Sequence, residues 1–186
     1  MEQPIYIYYI DENDLIYHIN EEWKQFAIEN EGSYLVDETL GKPIWDFISE
    51  GLIKKLYKEL IAAVRKTQEE INISFRCDSP EKLRFMQMNL YPIMENGIAF
   101  QNILLKEKLK EEGYTPEVLA ILGEAGYPMC SKCNKIKINS EWIELEEALK
   151  RKLLENKNLK AHYGICSECA TSIKNSIEEL RIKVKI

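Results

Sequence analysis

The chain has 186 residues, an ordinary apolar share of 45% and a formal net charge of −6, enough for one large domain or two small ones with a real core. The acidic excess sits in residues 1–106 and the remainder is close to neutral, which argues against a nucleic-acid binder held by phosphate contacts, since that needs a basic surface. No stretch approaches the roughly 20 apolar residues of a membrane span, and Met1-Glu2-Gln3-Pro4 lacks the basic and apolar regions of a secretory leader, so a cytoplasmic chain with reduced thiols is expected.

Ile5 to Ile10 is a β-branched and aromatic run, Asp11-Glu12-Asn13-Asp14 a turn, and Leu15 to Ile19 a second strand, together a hairpin. Asn20 is placed to cap a helix from Glu21 to about Glu29, with Trp23, Phe26 and Ala27 on one face. Residues 30–42 read as a loop and Pro43 to Phe47 as a helical turn. Ser49 is the expected cap of a longer helix, about Glu50 to Thr67, with Leu52, Leu56, Leu60, Ile61 and Val64 as its buried stripe.

Three strands follow. Ile71, Ile73, Phe75 and Cys77 alternate with polar residues, Asp78-Ser79-Pro80-Glu81 turns, and Leu83 to Tyr91 carries Met86, Met88 and Leu90 on one face. Glu95-Asn96-Gly97 turns again into a strand from Ile98 to Leu105. A leading hairpin, helices and a trailing meander predict an α+β fold with an antiparallel five-stranded sheet and helices on one face. The charged run Lys106 to Glu112 leads into a linker, residues 107–126, punctuated by Gly113, Pro116 and Gly123. Residues 127–186 read as a second, mostly helical module.

The order of elements in residues 1–106 resembles a PAS domain. So does local wording shared with a group of small bacterial PAS-like proteins: Asn20-Glu21-Glu22-Trp23-Lys24-Gln25-Phe26-Ala27, Ile44-Trp45-Asp46-Phe47-Ile48, Phe75-Arg76-Cys77-Asp78-Ser79-Pro80 and Arg84-Phe85-Met86-Gln87-Met88. The resemblance implies a sheet whose inner face closes on the helices around a pocket for an unidentified small ligand. Trp23, Phe26 and Trp45, with Phe75, Cys77, Met86 and Met88, either line that pocket or simply fill the core. Haem-binding PAS domains present a helical histidine, whereas His18 falls on a predicted strand and His162 lies outside the domain. The flavin-reactive Asn-Cys-Arg-Phe-Leu-Gln motif of light-sensing PAS domains is absent. The resemblance also implies a homodimer; the outward aromatics Tyr6, Tyr8, Phe85 and Tyr91 are either its contact surface or packed under a terminal helix.

The tail carries the stronger chemical signal. Cys130-Ser131-Lys132-Cys133 and Cys166-Ser167-Glu168-Cys169 are two Cys-x-x-Cys pairs. A two-residue gap lets both thiolates of a pair turn onto one ion, and two pairs supply a closed tetrahedral shell, the pattern of a structural zinc site without an open catalytic position. A disulfide switch and an iron–sulfur cluster compete for the same thiolates, and His162 is either a substitute ligand or a surface residue. Between the pairs, Trp142, Leu145, Ala148, Leu149, Leu153 and Leu154 recur at helical spacing after Ser140, and a last helix from about Ala170 to Ile182 turns Ile173, Ile177 and Leu180 inward. Cys130 to Lys137, Trp142 and Gly164-Ile165-Cys166-Ser167-Glu168-Cys169 also resemble a zinc-ribbon-like ending of bacterial PAS-containing signalling proteins, although His162 is displaced by Tyr163 and Ser167 stands where Pro is usual.

No phosphate-cradling or dinucleotide loop is present, so the expected function is non-enzymatic. The expectation is a sensory or regulatory protein of signal transduction with a small ligand or protein partner and a structural zinc. Two alternatives stay open: a zinc-ribbon nucleic-acid-binding regulator using Lys132, Lys135, Lys137, Lys150, Arg151 and Lys152, or an enzyme working in the pocket.

Overall fold

In a computed structural model, residues 3–49, 51–79, 81–109, 127–153 and 163–183 are described. The hairpin is β1 (Ile5–Ile10) and β2 (Ile16–Ile19). Helices α1 (Glu21–Glu29), α2 (Tyr34–Glu38) and α3 (Leu52–Thr67) follow, with a single 3-10 turn at Ile44–Asp46. Then come β3 (Ile71–Arg76), β4 (Lys82–Pro92) and β5 (Ile98–Leu109). The result is a mixed α+β fold. Its five strands pair antiparallel in the order β2-β1-β5-β4-β3.

The start of α1 follows from its sequence. Asn20 sits in extended backbone and its Oδ1 accepts from the Trp23 N–H at 3.0 Å, while Glu21 and Glu22 occupy the favourable first turn. Helix α3 departs from the expected start. Gly51, not Ser49, is its N-cap, at φ 89° and ψ −143°, where a side chain is strained. That frame turns Leu52 out to solvent and buries Ile53 in its place, beside Leu56, Leu60, Ile61 and Val64.

The sheet's inner face is set by strand alternation. Tyr8 pairs with Phe100, Phe100 with Leu90 and Leu90 with Ile71, so these four share one face, and it packs on α3. Tyr6 and Tyr8 were expected to face outward. Both lie on the helix side instead: Tyr8 stacks on Phe100 and Tyr6 meets Phe26, each with ring centroids 4.5 Å apart. Strand β5 runs through the charged run to Leu109, pairing with Lys82, and Glu107 joins Lys82 and Arg84 across the strands.

The tail forms its own small sheet, order β8-β7-β6-β9, from β6 (Met129–Cys130), β7 (Ile136–Ile138), β8 (Glu141–Ile143) and β9 (Tyr163–Gly164). Helix α4 (Leu145–Lys150) starts later than expected. Trp142 lies on β8, and Glu144, not Ser140, precedes the helix. Leu154, His162 and residues 110–126 of the expected linker lie outside the described residues. Helix α5 (Ser167–Lys183) buries Ile173, Ile177 and Leu180, and they join the same apolar cluster as Leu56, Leu60 and Ile61 of α3. The last helix of the tail is therefore packed into the core of the five-stranded sheet. Among the described residues, no helix is long and apolar enough to cross a membrane.

Ile177 is 2% exposed in that shared cluster. Ile177→Ala should lower the stability of the whole chain by about 2–4 kcal/mol, measured by urea unfolding. Tryptophan fluorescence and far-UV circular dichroism should report one coincident transition.

Candidate functional site

Four cysteines converge in the tail. Cys130 ends β6, and the chain then turns back on itself: the Asn134 N–H donates to the Cys130 carbonyl at 2.9 Å and the Cys130 N–H to the Lys135 carbonyl at 2.8 Å. Asn134 takes φ 59°, a left-handed conformation that asparagine tolerates better than most residues. The second pair is brought alongside by β9, which runs parallel to β6 with Cys130 opposite Gly164. Ser131 bonds the Gly164 carbonyl twice, through its N–H at 2.9 Å and its Oγ at 3.0 Å. Cys166 then opens α5. Its carbonyl accepts from Ala170, and its Sγ accepts from the Cys169 N–H at 3.4 Å, at the helix end that favours negative charge.

The four Sγ atoms lie within 4.8 Å of one another, and Cys133 and Cys166 are 3.8 Å apart. A tetrahedral ion with metal–sulfur bonds of about 2.3 Å needs sulfur–sulfur edges of about 3.8 Å. The set therefore fits one tetrahedral metal ion. All five cysteines of the chain are free thiols. Cys130, Cys166 and Cys169 are buried, Cys133 is half-buried, and Trp142 and Ile165 pack against the group. Lys135 reaches Glu168 at 2.8 Å beside the thiols.

The thiols do not share one acidity. A hydrogen bond from Cys133, aided by backbone N–H groups including that of Cys166, lowers Cys130 to about 4, against the opposing cost of burial. The hydrogen bond to Cys130 pushes Cys133 strongly up, and burial raises Cys169 to about 12.

No family model and no curated protein matches this chain.

A second feature lies on the inner face of the five-stranded sheet. A cavity of about 300 Å³, open to solvent on one side, is bordered by β1, β2, α1, α2, α3 and the turn before α3. Its lining is mostly apolar and includes Trp23, Ile44 and Ile53 beside Tyr8, Thr39, Ser49, Tyr57 and Ser131. Burial pushes Tyr57 up to about 12 and Tyr8 well above the ordinary phenol value, so both stay neutral. Thr39, 3% exposed, has an Oγ1 without a hydrogen-bond partner, which is costly for a buried hydroxyl.

Of the seven residues singled out for a pocket, Trp23 lines this cavity. Phe26 lies elsewhere, against Tyr6 and under the Arg84 guanidinium. The Trp45 Nε1 donates to Asp14 at 2.9 Å, with Lys58 over its ring. Phe75 packs against the main core, Met86 and Met88 are buried, and the Tyr57 hydroxyl meets the Met88 sulfur at 4.0 Å. Cys77 falls just beyond β3, where burial raises its thiol. Leu35 and Thr39 escaped sequence reading because α2 was read as loop, and Ser131 because it belongs to the tail.

Cys166→Ser should cut metal affinity by more than the about 10–100-fold typical of changes outside a ligand set, read by elemental analysis and chelator competition. Because metal ligation needs thiolates while burial and the mutual hydrogen bonds raise Cys133 and Cys169, loading should release protons at neutral pH, and apparent affinity should fall as pH is lowered. Calorimetry in buffers of different ionisation enthalpy measures both.

Proposed function

We propose that the chain is a cytoplasmic, non-enzymatic sensory or regulatory protein of signal transduction. Residues 1–106, together with the end of β5 at Leu109, act as a PAS-like domain that takes a small molecule, and residues 127–186 carry a structural zinc. The observation that carries the reading is the cavity, mostly apolar in its lining and bordered by helices. A leading hairpin, intervening helices and a trailing meander around such a cavity are what the PAS resemblance implies. The expected bacterial origin rests on the same resemblance.

Zinc is the ion favoured by an all-thiolate, closed tetrahedral set. When bound it supplies a cross-link between the two cysteine pairs, with no position open for substrate. The nucleic-acid alternative draws little support from the surface. Lys135 is committed to Glu168 and Glu144, and Arg151 to Glu147. A pocket enzyme is the other alternative, but the described lining residues include no charged side chain to act as acid or base. Signalling through a homodimer would use the sheet face turned away from the helices. There Ile5, Tyr9, Tyr91 and Ile103 lie on one side by strand alternation.

Native mass spectrometry of freshly purified protein tests these points together. The expected spectrum shows a chain with one zinc, a retained small neutral molecule and a dimer. Ile53→Trp, which fills the cavity, should lose the molecule and keep the zinc. A wild-type chain that retains nothing, and whose melting no neutral aromatic or aliphatic compound shifts, would count against the sensor reading.

A further inference from the structure

The metal site and the cavity share a residue. Ser131 stands between Cys130 and Cys133, and it is also part of the cavity lining. Its position is fixed from both halves of the metal site: by the turn that carries the first cysteine pair, and by its two bonds to Gly164 just before the second. The same turn is tied to the five-stranded sheet. The Arg76 N–H donates to the Lys132 carbonyl at 2.8 Å. The Arg76 side chain, beside Asp78, reaches Glu146 of α4 at 2.8 Å and Glu144 at 3.6 Å. Helix α5, which begins at the second cysteine pair, packs on α3, and α3 supplies Ile53 and Tyr57 to the cavity.

We propose that the four-cysteine centre and the cavity form one coupled device, in which metal completes the cavity wall for a neutral, mostly apolar ligand, and the ligand in turn helps retain the metal. The inference rests on the ligand-binding reading given above. Its physical basis is a shared wall. With the sulfurs held on one ion, Ser131 closes its side of the cavity. Without the ion, the two pairs lose their cross-link and that side opens to water, so the ligand loses apolar contact. Reciprocity then requires the ligand to raise metal affinity by the same factor. The ligand class follows from the lining. No described lining residue is charged, and the side-chain polar groups are hydroxyls and the Trp23 indole N–H, so the site takes an uncharged, mostly apolar molecule with one or two hydrogen-bonding groups.

The test uses naphthol, a neutral bicyclic aromatic alcohol, as fluorescent probe of the full-length, zinc-loaded chain. Chelation should weaken naphthol binding at least about 5-fold, and saturating naphthol should raise zinc affinity by the same factor in chelator competition. Ile53→Trp should abolish naphthol binding and with it the naphthol effect on zinc, which places the probe in the cavity. Arg76→Met keeps all four cysteines and every described lining residue while loosening the hold on the turn. It should retain zinc, bind naphthol more weakly when loaded, and show a smaller difference between loaded and stripped protein. Naphthol that binds in the cavity equally well with and without zinc, or an Arg76→Met chain with unchanged naphthol affinity, overturns the coupling and leaves the ligand reading standing. A loaded chain that binds no naphthol counts against the ligand reading, and the coupling falls with it.

Discussion

Four sulfur atoms within 4.8 Å of one another cannot all be bare thiolates. At an effective dielectric near 20, two like charges at that separation repel by about 3–4 kcal/mol, and four make six such pairs. A divalent ion converts this repulsion into attraction. The residues around the sulfurs are arranged for that outcome: backbone N–H groups point at Cys130 and Cys166, the latter at the start of a helix, and Trp142 and Ile165 pack against the group. Because α5 starts at this point and runs onto α3, the placement of the sulfurs also decides where a large part of the main core lies.

Arg76 joins the two parts from the other side. Its side chain is only 11% exposed and faces Asp78, Glu144 and Glu146. A partly buried ion pair gains little net stability, because desolvation offsets much of the attraction. Its effect is on register: the end of β3 meets the cysteine turn at one position, with a main-chain bond to Lys132 beside the charged cluster. Apolar packing of α5 on α3 supplies the energy of docking, and Arg76 supplies its geometry.

Much of this was legible from residue order. The period of two in Ile71-Asn72-Ile73-Ser74, the cap at Asn20 and the stripe from Leu56 to Val64 all led to the elements observed, because each is a local signal. The two Cys-x-x-Cys pairs were legible for the same reason. What was not legible is non-local or too short. Helix α2 has five residues, less than is needed to show a period. Trp142 followed helical spacing with Leu145 and Ala148 by coincidence, since a strand ends one residue before that helix begins. The facing of Tyr6 and Tyr8 depends on which side of the sheet the helices cover. A run such as Ile-Tyr-Ile-Tyr-Tyr-Ile is apolar on both faces and does not say. The cavity needs five elements, the turn before α3 and one residue of the tail, a meeting that no single window of sequence contains.

Chain order adds a temporal consequence. Helix α3 is made well before α5, yet α5 covers part of it, and Cys130 and Cys133 are made before the two sulfurs that complete their shell. During synthesis the sheet therefore leaves the ribosome with an uncovered apolar flank and an unfinished thiol pair, both closed by the same late segment. Scarcity of the metal at that moment would be felt as a prolonged exposure of that flank to chaperones and proteases, so the cell's supply of that ion would set how much of this protein survives its own birth.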